Sequence, residues 1–284
     1  MNEQIEPGRP PDSGAAPQTL DVDATKQAHA AEESCTEGVC RPADLANAGA
    51  KPETAHADRD ATASGATAAP ARDAELIYVG DPMCSWCWGI APELDRLRQH
   101  AATQGMGLEV ILGGLRPGGG DAWTPRFRDF LRHEWQQVHA RTGQPVSYGL
   151  LERDQFNYDT EPACRAVVVA RGMRDDGSAP GLDLYGFFKA VQHRFYADNA
   201  DPSEGEFYRL PCEQLGLDAD EFARRFPAPQ AIEATRQDFA LARQWGVNAF
   251  PTVLLRVGQQ LYLLAQGYDS AQAMGQRVEA VLAR

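Results

Sequence analysis

Two cysteines three positions apart, placed directly after an apolar run, constrain the fold of this 284-residue chain more than any other feature. The run, residues 76–79, is continuous and partly β-branched, so it predicts a strand buried on both faces. From Cys84 onward, apolar residues recur at helical spacing, which predicts a helix whose first turn holds both Cys84 and Cys87. A second predicted strand at residues 108–112 completes a βαβ unit, which implies parallel pairing with a right-handed crossover.

The position of these two thiols predicts redox chemistry. At a helix start, the Cys84 sulfur faces free backbone N–H groups and the positive end of the helix dipole, which stabilise a thiolate over a thiol. Only the thiolate attacks a disulfide, and an unperturbed thiol of pKa about 8.5 is only slightly ionised at neutral pH, whereas helix-terminal C-x-x-C thiols reach about 3.5–7. We therefore expect Cys84 to be the nucleophile, and Cys87, one turn deeper, to resolve the mixed disulfide.

Two other interpretations of the cysteine pair stay open at this point. The pair could be half of a zinc site, but no second pair at finger or ribbon spacing follows, and the histidines show no ligand spacing. The pair could also be two structural cysteines, an interpretation that the position between a buried strand and a helix start disfavours. The histidines are His29, His56, His100, His133, His139 and His193.

The first 72 residues differ in composition from the rest. They are Ala-rich, contain no aromatic residue, and carry twelve acidic against six basic side chains. So little apolar side chain does not offset the entropy of ordering a backbone, roughly 1–2 kcal/mol per residue. We expect residues 1–72 to form a disordered acidic tail and residues 73–284 to form the compact domain. Cys35 and Cys40 lie in this tail, where they could shuttle reducing equivalents to the Cys84 pair.

The remainder of the domain is predicted to be helical in residues 121–226 and mixed afterwards. In the segment that begins at Asp201, we expect Asp201 to cap a helix, Pro202 to occupy its first position and Glu204 to complete a capping box. Cys164 and Cys212 are expected to be small buried residues. Further helices are predicted over residues 125–141, 161–173, 182–195 and 228–245 and from Ser270 onward, with strands at 252–257 and 261–264.

Charge and hydropathy exclude several function classes. The chain has 40 acidic and 27 basic residues, a net charge of −13 and a pI near 4.9, which argues against binding to nucleic acid or anionic lipid. No apolar stretch approaches the roughly 20 residues that cross a bilayer. The first thirty residues show no basic segment running into an apolar one, so no signal peptide is predicted and we expect a cytoplasmic protein. In a reducing compartment, close cysteine pairs favour metal or redox chemistry.

A second motif, Gly246 to Thr252, places Pro251 immediately before a predicted strand. The chain thus has a strand, a C-x-x-C at a helix start, a helical block and then Phe250-Pro251-Thr252. With its elements in this order, it resembles the DsbA family of thioredoxin-fold proteins. The resemblance covers residues 73–284. The CSWCWG form and the segment FNYDTEPACRA at residues 156–166 are similar to the branch known as DsbA-family proteins or protein-disulfide isomerases.

The resemblance implies a thioredoxin fold of order βαβ…αββα around a mixed sheet. Its halves are residues 73–120 and 227–284, and residues 121–226 form an all-helical insertion. The resemblance also implies a cis peptide bond at Pro251, beside the cysteine pair, with the Phe250 backbone facing outward to pair with an extended client. Trp86 and Trp88 would supply apolar surface for clients, although packing against the helical block is the alternative for Trp88. Asp81 and Ser85 would support the active site.

The chain departs from the family pattern in two places. Proteins of this fold commonly carry a buried acid six positions before the first cysteine, where this chain has Tyr78, and the nearest acid is Asp81. The intervening dipeptide, Ser85-Trp86, has neither the histidine of strong oxidants nor the proline of strong reductants, so the redox direction stays open. Cytoplasmic residence favours reductase or isomerase work.

These observations predict a thiol–disulfide oxidoreductase or isomerase that acts on protein or peptide clients through Cys84 and Cys87. We expect no metal and no cofactor beyond an external thiol, such as glutathione or a thioredoxin-type donor. One alternative is a glutathione-dependent isomerase or transferase similar to the kappa class and the hydroxychromene-carboxylate isomerases, which usually place Ser where Cys84 stands. A second alternative is a scaffold that holds a soft metal between the two thiols.

Overall fold

The computed structural model describes residues 19–20 and 74–284. This part of the chain contains five strands, eight α-helices and two short 3₁₀ helices. The strands are β1 (Thr19–Leu20), β2 (Ala74–Gly80), β3 (Leu108–Leu112), β4 (Thr252–Val257) and β5 (Gln260–Gln266). The helices are α1 (Ser85–Thr103), α2 (Pro125–Thr142), α3 (Glu161–Asp175), α4 (Leu184–Tyr196), α5 (Arg209–Leu215), α6 (Ala219–Arg225), α7 (Pro229–Gln244) and α8 (Ala271–Leu282). The 3₁₀ helices are Gly149–Glu152 and Gly205–Tyr208.

The strands form one mixed sheet in the order β1-β5-β4-β2-β3. β2 pairs in parallel with β3 and antiparallel with β4, and β4 pairs antiparallel with β5. The parallel pair confirms the predicted βαβ unit, and the sheet confirms the predicted thioredoxin fold. β2 lies in the interior of the sheet, and its residues 76–79 are fully buried, as the apolar run predicts.

The two faces of the sheet bury different sets of side chains because side chains alternate along a strand. Leu76 and Tyr78 face a large core that includes α1, α8 and most of the helical insertion. Ile77 and Val79 face a smaller cluster that Ala242 of α7 covers. The sheet is therefore enclosed by helices on both faces, with the start of α1 at the end of the central strand.

Helix starts follow local capping chemistry. The Thr124 hydroxyl accepts the Phe127 amide at the start of α2, where Pro125 occupies the first helical position, and the Ser270 hydroxyl accepts the Ala273 amide at the start of α8. Within residues 74–284, no helix combines the length and apolarity needed to cross a bilayer.

The structure differs from the sequence prediction at Asp201 to Glu204. The predicted capping box is wrong. The Asp201 carboxylate binds Arg153 and the Ser203 amide instead, and a 3₁₀ helix follows this segment and precedes α5. The expected tail, including Cys35 and Cys40, lies outside the described residues with one exception. Thr19 and Leu20 pair antiparallel with Tyr262 and Leu261 at the edge of the sheet, so these two residues do not follow the expected disorder.

Candidate active site

Cys84 stands at the N-terminal tip of α1. It is the N-cap residue of the helix, with φ −85° and ψ 120°, and its carbonyl accepts the Trp88 amide at 3.1 Å. A tight turn precedes it, because the Cys84 amide donates to the Asp81 carbonyl at 3.0 Å. Cys87 follows in the first turn of the helix. The predicted placement of the two thiols at the helix start is therefore confirmed.

The two thiols differ in exposure. The side chain of Cys84 reaches the surface slightly, with 6% of the residue exposed, whereas Cys87 has none. Both cysteines are free thiols. Burial raises the pKa of Cys87 well above its usual range, and the neighbouring Cys84 thiol raises it further. Cys84 is thus the outer thiol, and Cys87 is held as a neutral thiol behind it.

The second sequence motif meets the first at this tip. The Phe250–Pro251 peptide bond is cis, as the resemblance implies. The Cys84 thiol donates to the Phe250 carbonyl, with sulfur and oxygen 3.6 Å apart, so that carbonyl is turned toward the thiol. The Phe250 ring lies so close to the backbone of Gly113 that a Cβ at Gly113 would stand 2.0 Å from it. Motifs 166 residues apart in the chain thus converge on one sulfur atom.

Asp81 supports the turn that carries Cys84. Its carboxylate is fully buried and accepts the Met83 amide at 2.8 Å, the Leu115 amide at 2.7 Å and the Cys164 thiol at 3.3 Å. Burial raises the pKa of Asp81, while these hydrogen bonds act in the opposite direction. The geometry fits the predicted supporting role of Asp81. Cys164 is buried as expected, but its thiol contact with Asp81 has no signal in the sequence because the two residues are far apart in the chain.

Two tyrosines from the helical insertion hold the residue before Cys84. The hydroxyls of Tyr158 and Tyr196 each donate to the Met83 carbonyl at 2.7 Å. Both side chains are buried, and both lie in the insertion that separates the two thioredoxin halves. Sequence reasoning missed these contacts, although Tyr158 lies within the FNYDTEPACRA segment. The insertion therefore fixes the backbone of the active-site turn.

The two tryptophans have different environments. Trp86 is partly exposed, and its indole N–H donates to Glu134 of α2 at 3.0 Å. Trp88 is only 5% exposed; its indole N–H donates to the Pro145 carbonyl at 3.0 Å, and its ring stacks on Tyr196. The ring of Trp88 is enclosed between α1 and the insertion, which favours the packing alternative, and its contact with clients stays a prediction. Ser85 begins α1 and is partly exposed.

Four apolar side chains lie on segments that contact the active-site turn or α1, and we call them the apolar rim. They are Trp86, Leu115, Phe130 and Phe250. Leu115 is 39% exposed and its amide is bonded to Asp81, while Phe130 is 49% exposed and lies one helical turn before the Glu134 partner of Trp86. Large exposed apolar side chains of this kind mark surfaces that bind other molecules.

The two sulfur atoms of the site are the groups that can carry out redox chemistry. Two thiols in one helical turn, one slightly exposed and one fully buried, can alternate between dithiol and disulfide. Among the residues that the structure describes, no three His, Cys, Asp or Glu side chains are grouped so as to hold a metal ion.

Comparison with known proteins finds similar solved structures. No family model matches the chain. The crystal structure of a "putative protein disulfide isomerase" from Nitrosomonas europaea is 32% identical, covers 75% of this chain and 98% of its own, and has a TM-score of 0.64. The cytosolic disulfide reductase DsbM from Pseudomonas aeruginosa, solved alone and with GSH, is 23% identical; alone it covers 72% of this chain and 94% of its own, with a TM-score of 0.54.

A curated relative is more distant. The ClpXP adapter protein SpxH from Bacillus subtilis is 20% identical over 188 residues, which are 65% of this chain. The matched part spans 58% of the length of SpxH.

Proposed function

Because the chain belongs to the DsbA family of thioredoxin-fold disulfide oxidoreductases, we propose that it exchanges disulfides with protein clients through Cys84 and Cys87. One observation carries the proposal: a slightly exposed thiol at a helix tip contacts the carbonyl before a cis-proline and has a second, fully buried thiol one turn behind it. This arrangement provides a nucleophile and a resolving group for the same reaction.

The reductive reaction proceeds in two steps. The Cys84 thiolate attacks one sulfur of a client disulfide, which forms a Cys84–client bond and releases the other client sulfur as a thiolate that takes up a proton. Cys87 then loses its proton and attacks the Cys84 sulfur, which forms the Cys84–Cys87 disulfide and releases the second client sulfur, again as a thiol. Two electrons pass from the enzyme dithiol to the client disulfide. In the oxidative direction the same steps run in reverse.

The client binds across the apolar rim in this proposal. A non-native chain exposes apolar side chains, which gain by contact with Trp86, Leu115 and Phe130. Glu134 orients the Trp86 ring through its indole N–H. The carbonyl of Phe250, next to the Cys84 sulfur, lies where the backbone of a bound client must pass.

The cycle requires a second thiol partner that reduces the Cys84–Cys87 disulfide. We propose glutathione or a thioredoxin-type donor for this step, with no other cofactor, and reductase or isomerase work in the cytosol. The similarity to DsbM supports this, since that protein is described as a cytosolic disulfide reductase and was solved with GSH.

Insulin disulfide reduction with glutathione as the final donor tests the proposed function. We expect Cys84→Ser to abolish turnover, because the nucleophile is lost, and Cys87→Ser to accumulate a covalent Cys84–client adduct visible by non-reducing mass spectrometry. Cys212→Ala is the matched control, since Cys212 is a buried thiol of α5 and should leave turnover unchanged. Retained turnover in Cys84→Ser would contradict the proposal.

A further inference from the structure

Tyr78 occupies an unusual environment behind the cysteine pair. Its side chain is fully buried, with the rings of Tyr185 and Phe188 packed edge-on against it at 5.7 and 5.4 Å. Its hydroxyl has no hydrogen-bond partner among the residues that the structure describes. A buried hydroxyl without a partner costs free energy, so such a group calls for a physical reason.

Gly80 determines where this hydroxyl lies. Residues 78 and 80 share one face of β2, and a Cβ at Gly80 would stand 2.6 Å from the Tyr78 ring carbon Cζ and 2.7 Å from its hydroxyl oxygen. Only a residue without a side chain allows the ring to lie along the strand in this way. The hydroxyl is thereby carried to the end of β2, where the chain turns into α1.

The Cys87 thiol lies at the same end of the strand. The nearby Tyr78 hydroxyl and the Asp81 backbone amide lower the pKa of Cys87, against the larger effect of burial. Cys87 in turn raises the pKa of Tyr78, whose burial already raises it well above its usual range. Tyr78 therefore stays protonated, so its hydroxyl proton is available for donation.

We propose that Tyr78 is a catalytic residue of the resolving step, and that its hydroxyl donates a hydrogen bond to the Cys87 thiolate while that sulfur attacks. This rests on the proposed function and adds a residue to its second step. The Cys87 thiolate attacks the Cys84 sulfur, the Cys84–Cys87 bond forms, and the Cys84–client bond breaks. The client sulfur leaves as a thiolate and takes up the proton that Cys87 has released, so Tyr78 keeps its own proton throughout.

The unpartnered hydroxyl is consistent with this role. In the dithiol state Cys87 is neutral and a weak acceptor, whereas a thiolate is a charged acceptor, and hydrogen bonds to charged groups are the stronger ones. The hydroxyl is therefore held in place before the charge develops. The free energy lost by leaving the Tyr78 hydroxyl without a partner in the dithiol state is regained when the hydroxyl binds the Cys87 thiolate.

The other titratable groups around the pair are few and differ from Tyr78. Cys84 lies in the same turn of α1, and Tyr185 of α4 packs against the Tyr78 ring. Beyond Tyr185 lie Asp95 and Lys189, joined at 2.6 Å. The Lys189 ammonium is also 5.3 Å from the centre of the Tyr185 ring. The Tyr185 hydroxyl is as buried as that of Tyr78 and also without a partner in the described residues, which makes it a matched control.

The test separates the two half-reactions with dithiobis(nitrobenzoate) in stopped flow. Cys84 releases the first nitrothiobenzoate when it attacks the reagent, and Cys87 releases the second when it resolves the adduct. The full chain is used, with Cys35→Ser and Cys40→Ser in every variant so that only the active-site pair responds. Tyr78→Phe is compared with Tyr185→Phe, and unfolding of each variant is measured alongside.

We expect Tyr78→Phe to leave the first release within about twofold of its normal rate and to slow the second about tenfold, the loss of one hydrogen bond to a charged group. The pH profile of the second release should move upward by about one pH unit. Tyr185→Phe should change neither step. Gly80→Ala, which displaces the hydroxyl while keeping Tyr78, should slow the second release in the same direction.

Three results would overturn the proposal. These are an unchanged second release in Tyr78→Phe, equal slowing of both releases, which indicates displacement of the whole turn, and equal slowing in Tyr185→Phe. If the parent protein itself gives no two-step release, the proposed function fails with it. Two-step release in the parent with a normal Tyr78→Phe profile rejects the role of Tyr78 alone.

Discussion

At the residue scale, the two active-site sulfurs are one helical turn apart and yet have different physical environments. Cys84 reaches the surface and touches the Phe250 carbonyl, whereas Cys87 is enclosed and its pKa is raised by burial. A thiol that must resolve an adduct benefits from this enclosure, because it does not react with solvent oxidants or with clients directly. The difference between the two thiols predicts a pH dependence for the second step.

We expect the resolving step to accelerate with pH. Since burial raises the pKa of Cys87, the sulfur is mostly protonated at neutral pH, and the reactive thiolate fraction grows about tenfold per pH unit below that pKa. The rate of the second release should therefore rise with a slope near one on a logarithmic plot from about pH 6 upward and level off only above the usual thiol range. A plateau below about pH 8.5, the ordinary thiol value, would contradict it.

The sequence predicts the placement of the two cysteines but not the residues that contact them. The C-x-x-C spacing and the preceding strand are local, so Cys84 and Cys87 follow from short-range pattern alone. Cys164, which contacts Asp81, and Tyr158, which contacts Met83, both lie in the insertion, and neither carries a local signal for that contact. The burial of Trp88 depends likewise on how the insertion packs.

At the element scale, the strands and most helices follow the predicted hydrophobic periods. The exception at Asp201 arose because a carboxylate that can cap a helix also pairs with Arg153, 48 positions away. Another long-range pair protects β3, which lies at one edge of the sheet. Arg171 donates to the Val110 carbonyl, and Asp238 accepts the Leu112 amide, while the two side chains bind each other at 2.6 and 2.9 Å. An ion pair thus takes the place of a neighbouring strand.

We expect Asp238→Ala to lower the free energy of unfolding by about 3–5 kcal/mol, because it leaves Arg171 as a largely buried charge and the Leu112 amide without its partner. Urea unfolding followed by circular dichroism measures this loss. Glu233→Ala on the same helix is the control, since its ion pair with Arg236 is mostly exposed and should contribute within about 1 kcal/mol. Equal losses in the two variants would refute the role of the buried pair.

The two tryptophans of α1 provide a second comparison. Trp88→Ala should lower the free energy of unfolding by about 3–5 kcal/mol, because it leaves a cavity between α1 and the insertion. Trp86→Ala should change stability far less and instead raise the KM for insulin several-fold, since the ring is part of the apolar rim. Denaturant unfolding and steady-state kinetics on both variants distinguish the two roles. Reversed effects would show that Trp88 is the client contact.

At the scale of the whole molecule, the active site is assembled from three parts of the chain. The first turn of α1 and its N-cap supply the thiols, the segment before β4 supplies the Phe250 carbonyl, and the insertion supplies the hydroxyls that bind the Met83 carbonyl. Sequence patterns predict each part separately. How the parts meet depends on packing over long separations, which is why the resemblance to a known fold was needed to bring Pro251 to Cys84.

The short strand β1 gives a prediction at this scale. Replacing Thr19 and Leu20 with proline removes their backbone donors and breaks their pairing with Leu261 and Tyr262. The amide of these two β5 residues that faces β1 then loses its acceptor and should exchange hydrogen faster. Insulin reduction should stay unchanged, because β4 separates β5 from β2. Hydrogen exchange with mass spectrometry measures the first effect, and valine at both positions is the control. Unchanged exchange in the proline variant would show that β1 does not protect the edge.

The Arg171–Asp238 ion pair beside β3 has a consequence for the proposed binding of incompletely folded clients. Such proteins present loose backbone segments that would add themselves to any open ladder of amides and carbonyls. Because the Val110 carbonyl and the Leu112 amide already bind Arg171 and Asp238, these two backbone groups of the edge strand are not free to pair with another chain. In the proposed function, clients therefore engage the enzyme at its thiols rather than by adding a strand at Val110 and Leu112.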